Sequence, residues 1–251
     1  MIDIHCHLLP GIDDGPKTLD QAIELAERAV ENGITHAVLT PHIHPDRYAN
    51  TAQSIAQSVE SFRQALQQHQ VPLRLGYAAE VRLGIELLGM IEEEEIPFYG
   101  ESEGYRVLLL ELPHSHVPVG ADNLVRWLLD RKIQPLIAHP ERNKDIMRKF
   151  DKVLPFIEMG CLFQLTAGSV AGEFGDPAQL TARALLETGS VTVLASDAHN
   201  ITHRPPRLDH GRDAAAEIVG EELARQMVYE KPLSLVASQF PDLELPQQQS
   251  L

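Results

Sequence analysis

A single-domain α/β barrel with seven strands is the fold that this sequence predicts, and three observations point to it. Seven short segments rich in Val, Ile and Leu alternate with helical patterns, the signature of βα units around a parallel sheet. A chain of 251 residues with 43% hydrophobic content fills one barrel core. The unusual polar residues fall at the C-terminal ends of the segments, the face on which barrel enzymes build their sites.

The segments are IDIHC from residue 2, ITHAVLT from 34, PLRLGYA from 72, YRVLLLEL from 105, IQPLIAH from 133, CLFQLTA from 161 and VTVLAS from 191. Short runs of this kind read as strands buried on both faces. The clearest helix follows Thr18, which forms a predicted capping box with Gln21. Leu19, Ala22, Ile23, Ala26, Ala29 and Val30 then recur at helical spacing, and Gly33 ends it. Further helices are predicted from Thr51 to Gln68, Asp122 to Arg131, Asp151 to Met159 and Pro177 to Thr188. No stretch rich in Pro, Gly or Ser divides the chain. One domain is therefore expected over residues 1–240, with PDLELPQQQSL (241–251) as a flexible C-terminal tail.

His5 and His7 close the first strand. Successive side chains of an extended segment alternate faces, so the two imidazoles converge while Cys6 points away. His42 follows the second strand, Glu80 ends the third, Glu111 the fourth and His139 the fifth, while Asp197 and His199 end the seventh. Singly, each has a plainer reading: Glu111 as a solvated strand end, Asp197 as a helix cap, His139 as a packed loop residue. Six strand ends that all carry His, Asp or Glu point instead to metal. Divalent ions remove the cost of gathering those carboxylates in one mouth.

The run EEEE at 92–95 reads as an exposed helix end, because consecutive helical positions cannot face one ion. His36, His69 and His210 lie off the mouth in this arrangement. Cys6 and Cys161 are expected to be small buried residues. Neither begins the C-x5-R loop of a cysteine-based phosphatase, since Ile12 and Ala167 stand where the arginine would be. The formal charge of −15, from 21 Lys and Arg against 36 Asp and Glu, disfavours a nucleic-acid partner. No apolar run approaches the ~20 residues of a membrane helix. The N-terminus shows neither a basic nor an apolar leader region, so cytoplasmic residence with reduced thiols is expected.

HxH at the start, DDGP at 13–16, TPH at 40–42, Glu80, HPER at 139–142 and SDAHN at 196–200 together resemble the PHP superfamily. More narrowly, IDDGPKT, TPHIHPDRY, LTAGS at 165–169 and HRPPRL at 203–208 are similar to the bacterial PHP-type tyrosine phosphatases of capsule and exopolysaccharide operons, over residue 1 to about 235. The resemblance implies a distorted (β/α)7 TIM-like barrel holding three divalent ions, manganese first among them. It assigns His5, His7, Glu80 and Asp197 to one ion. A bridging Glu80, with Glu111 and His139, would hold a second, and Asp14, His42 and His199 the third. The phosphate-contacting arginines fall on Arg142 and Arg204. His44, His114 and His116 receive no role.

Phosphoryl transfer needs an in-line nucleophile and charge compensation, which clustered divalent ions and planar arginine donors supply. The resemblance implies a phosphotyrosine phosphatase acting on the tail of a bacterial tyrosine autokinase. Two alternatives stand beside it: a small-molecule phosphatase of the histidinol phosphate type, and a non-catalytic metal-binding regulatory module.

Overall fold

The structure, a computed structural model, describes residues 1–243. Its strands are β1 (Ile2–Cys6), β2 (His36–Leu39), β3 (His42–Ile43), β4 (Arg74–Tyr77), β5 (Glu80–Arg82), β6 (Glu101–Ser102), β7 (Tyr105–Glu111), β8 (Ile133–Ala138), β9 (Leu162–Thr166) and β10 (Val193–Ala195). All ladders are parallel except that of β6 with β7. One ladder runs β1-β2-β4 and another β10-β9-β8-β7-β5-β3. The second and third predicted strands are each followed, after Thr40-Pro41 and Ala78-Ala79, by a further short strand, so His42 and Glu80 open β3 and β5 and Glu80 does not close the strand before it. The end of β1 is bonded to the chain after β10: Asp197 N–H donates to His5 O at 2.7 Å, and His7 N–H to Ala198 O at 2.8 Å.

The helices are α1 (Leu19–Glu31), α2 (Ala52–Gln68), α3 (Glu86–Glu92), α4 (Ala121–Asp130), α5 (Lys144–Arg148), α6 (Leu154–Glu158), α7 (Ala167–Val170), α8 (Asp176–Glu187), α9 (Leu208–Val219), α10 (Glu221–Val228) and α11 (Glu230–Val236). The predicted capping box of α1 is only half formed. Thr18 accepts from Gln21 N–H, but the Gln21 side chain accepts from Lys17 N–H, and Leu19 is exposed while Leu25 joins the buried stripe. Thr51 and Ser54 make a full capping box on α2. The helix predicted over 151–159 is a 3-10 turn at Phe150–Lys152 followed by α6.

Side chains alternate across the sheet. Leu108 and Leu110 of β7 and Ile133 and Ile137 of β8 pack outward under the helices, whereas Val107, Leu109, Leu136 and Ala138 join an inner cluster with Ile2, Ile4 and Val193. Leu233, Leu235 and Val236 of α11 and Phe240 pack into that inner cluster at the end where the strands begin. Of the predicted tail, residues 241–243 are seated there, with Asp242 beside His36 and Arg74. The remainder, 244–251, lies outside the described residues. Among the described residues no helix is long and apolar enough to cross a membrane.

Candidate metal centre

The register of β1 against β2 shifts between Asp3 and Cys6. Ile2 and Ile4 face the inner cluster, yet Cys6 packs in the outer one, so the bulge inverts the alternation and turns His5 and His7 inward. Their Nε2 atoms stand 3.3 Å apart, and each is 3.3 Å from Glu80 Oε2. Asp197 Oδ1 lies 3.4 Å from the first and 3.5 Å from the second. The three donors of His5, His7 and Glu80, each 3.3 Å from the other two, surround a point about 2 Å from each, the bond length of a divalent transition ion to nitrogen or carboxylate oxygen.

Beside this group, Asp14 Oδ1 is 3.3 Å from both His42 Nε2 and His199 Nε2. His42 Nδ1 is 3.0 Å from Glu80 Oε2, and His139 Nε2 is 2.6 Å from Glu80 Oε1. Glu111 gathers with Glu80 and His42, whereas His139 gathers with His5 and Asp197. Glu80 thus reaches His139 through Oε1 and gathers with Glu111 and His42, while Glu111 is also paired with Arg82 at 3.2 Å. His139 and Asp197 both take left-handed backbone angles, φ 32° and 52°, strain that a non-glycine residue bears where surrounding contacts fix it.

Buried polar atoms without hydrogen-bond partners test whether metal fits. Oδ1 of Asp14, Oε2 of Glu80, Oδ1 of Asp197 and Nε2 of His199 are all of this kind, and all point into the cluster. Burying such atoms unpaired is costly, and a divalent cation is the partner this donor set suits. Burial opposes the charged form of His5, but Glu80 and Asp197 outweigh it and raise its pKa to about 9. Burial likewise opposes charge on His7, where Asp13 and Glu80 prevail, again to about 9. Burial and Arg142 lower His139 to about 4, and burial and His7 lower His199 to about 4.

Behind the candidate ligands stands a layer that the motifs did not reveal. Gln164, in the one predicted segment to which no terminal His, Asp or Glu is assigned, accepts from His5 Nδ1–H at 2.8 Å. Asp13 accepts from His7 Nδ1–H at 2.7 Å. In the neutral rings both bonds hold the proton on Nδ1 and leave Nε2 as the lone-pair nitrogen facing the cluster. The adjacent Gly15 lets the DDG turn press against β1, since a Cβ there would lie 2.5 Å from His7 O. The doubled aspartate beside HxH was the available signal for Asp13.

Arg142 and Arg204 both donate through Nη2 to Asp197 Oδ2, and the Nε–H of each has no partner. They line a cavity of about 460 Å³ with His42, His44, Glu111 and His114. The family model for capsular polysaccharide synthesis, CpsB/CapC, matches residues 1–237.

The chain belongs to the CpsB/CapC family.

This CpsB/CapC chain is 33% identical to tyrosine-protein phosphatase YwqE of Bacillus subtilis, over 81% of its length and 79% of YwqE. It is 28% identical to tyrosine-protein phosphatase CpsB of Streptococcus pneumoniae, over 96% of its length and all of CpsB. The fold superposes with a TM-score of 0.87, at 31% identity and 94% coverage of both chains, on a crystal structure from work on YwqE and CpsB as metal-dependent tyrosine phosphatases. Within the CpsB/CapC cavity, His44 and His114 line the wall, while the exposed His116 turns Nδ1 to Ser115 Oγ. His36 is buried at the opposite end near Asp242, His69 and His210 are exposed, and both cysteines are buried.

Proposed function

We propose that this chain is a metal-dependent protein tyrosine phosphatase of capsular polysaccharide synthesis, using Arg142 and Arg204 to hold the phosphoryl group beside three divalent ions. The observation that carries the reading is the convergence of unpaired Asp14, Glu80, Asp197 and His199 atoms next to two arginines with free Nε–H donors. His5, His7, Glu80 and Asp197 would hold one ion, Asp14, His42 and His199 another, and Glu80 with Glu111 and His139 a third. Manganese is the ion proposed for these mixed nitrogen and oxygen donors. When bound, such ions supply Lewis-acid stabilisation and lower the pKa of water.

The chain's own residues orient the reaction. Asp197 Oδ2 anchors both guanidiniums through Nη2, so two planar donor groups are fixed at the cavity wall beside the proposed ions. Gln164 and Asp13 keep the Nδ1 protons of His5 and His7 away from the cavity. Tyrosinate, whose conjugate acid has a pKa of about 10, departs more readily than an alkoxide, and no residue is assigned as general acid. Sequential parallel strands, with β1 bonded to the chain after β10, support a seven-stranded barrel as the scaffold. We place the enzyme in the cytoplasm, acting on the phosphorylated tail of a tyrosine kinase.

Hydrolysis of a phosphotyrosine peptide and of histidinol phosphate, each with added manganese and then with chelator, tests the proposal. Manganese-dependent turnover that favours the peptide is expected. A strong preference for histidinol phosphate would overturn it.

A further inference from the structure

Every arginine of the chain except Arg47, Arg106 and Arg131 has a carboxylate oxygen within 4.0 Å among the described residues. In a chain with formal charge −15, an arginine without an acidic neighbour is the exception. The three exceptions each lie over an aromatic ring: Arg106 on Phe98, Arg131 on Trp127 and Arg47 on Tyr48. Of these, Arg47 alone lines the cavity that Arg142 and Arg204 share.

The Arg47 backbone is held in place. His44 N–H donates to Tyr48 O at 3.0 Å, Tyr48 N–H to His44 O at 2.7 Å and Arg47 N–H to His44 O at 2.8 Å, closing a turn after β3. The Tyr48 ring stacks on His42, tilted by 9° with centroids 5.5 Å apart, and the Arg47 guanidinium sits 5.0 Å from the Tyr48 centroid. A ring orients a guanidinium without neutralising it. The exposed charge is therefore presented at the rim and left available. The turn stands beside His42 and Asp14, whereas Arg142 and Arg204 follow β8 and β10, so Arg47 approaches the cavity from a different element.

We propose that Arg47 is a second anion subsite, which recognises a further negative group on a peptide whose phosphotyrosine is held by Arg142 and Arg204. This rests on the phosphatase reading, in which the cavity's Asp14, Glu80 and Glu111 are committed to ions and its remaining formal charges are arginines. The further anion is a carboxylate or a second phosphate close to the phosphotyrosine in the peptide. An exposed pair of this kind is worth at most about 1 kcal/mol, or about fivefold.

The test uses three peptides of one length: a phosphotyrosine with neutral neighbours, one with flanking glutamates, and one with a second phosphotyrosine. Both Kd, from fluorescence anisotropy, and kcat/KM are measured on the manganese-loaded protein, for wild type, Arg47→Ala and Arg47→Lys. Wild type should favour the more anionic peptides about fivefold through KM, Arg47→Ala should abolish that preference, and Arg47→Lys should retain part of it. The preference should also vanish in about 1 M salt, where the Debye length is about 3 Å. Tighter binding of both anionic peptides assigns a general anion reader, and of the doubly phosphorylated one alone a phosphate reader. Equal affinity of wild type for all three, or an equal loss on all three in Arg47→Ala, overturns the subsite. Charge-dependent binding without hydrolysis of any peptide would overturn the phosphatase reading while keeping the subsite.

Discussion

Oδ2 of Asp13 lies 2.7 Å from Nδ1 of His7, six residues earlier in the chain, and this bond decides which imidazole nitrogen meets the candidate metal centre. Asp13 is itself buried, and its carboxylate also accepts from the N–H groups of Gly15 and His42. Partners of this kind orient a ligand and raise its basicity; losing one costs about 10- to 100-fold in metal affinity or activity. Asp13→Ala should therefore weaken manganese binding on that scale. Titration of the metal-free variant checks it, and unchanged affinity would remove Asp13 from the site.

Glu80 touches His5, His7 and His42 through one oxygen and His139 through the other. Glu80→Ala should remove both metal and activity, while the fold survives on its two apolar clusters. Elemental analysis and circular dichroism of the purified variant decide the matter. Three retained ions with normal turnover would sink the bridging role.

Arg142 and Arg204 share Asp197 Oδ2, so either alone keeps that carboxylate paired. Arg142→Ala and Arg204→Ala should each keep their metal content and lose about 10²- to 10³-fold in kcat/KM, the scale of one lost oxyanion donor. Lysine should restore only part, since it lacks the planar fork. Full activity of Arg204→Ala would assign that residue another task.

With carboxylates overcoming burial, His5 and His7 titrate near 9 in the metal-free protein and are protonated at pH 7. A divalent ion must displace those protons, whereas His139 and His199, held near 4, are already neutral. Manganese affinity should thus rise with pH from 7 and level off above about 9, with proton release at pH 7. Calorimetry in buffers of differing ionisation enthalpy measures the release; none at pH 7 would contradict the protonation assigned to His5 and His7.

Burial raises the Cys161 thiol to about 12 and Cys6 well above its usual range, so both stay protonated across neutral pH. Alkylation of the native protein at pH 8 should be negligible, and Cys6→Ser and Cys161→Ser should both remain active. Mass spectrometry of iodoacetamide-treated enzyme, read beside its turnover, provides the check. Inactivation by a single adduct on Cys6 would speak for a role the geometry does not give it.

Local periodicity made much of the scaffold legible. Segments such as YRVLLLEL and IQPLIAH carry their strand character in consecutive apolar residues, and the stripe of α1 recurs at helical spacing. Helix α9 escaped notice because its buried face is Leu208, Gly211 and Ala215, too small to stand out. Gly211 is required there, as a Cβ would lie 2.4 Å from Ala167.

The sequence by itself determined that His5 and His7 share a face, since extended backbone alternates with a period of two, and that charged and imidazole side chains crowd one end of the strands. Only the tertiary structure decided which face that was, through a bulge in the pairing of β1 with β2. It also decided that Gln164 meets His5 across 159 residues, that Arg142 and Arg204 meet on one carboxylate, and that Glu111 stands with His42 while His139 stands with His5. These are contacts between distant segments, and their partners depend on register, backbone strain and the packing of the whole sheet, none of which a local pattern encodes.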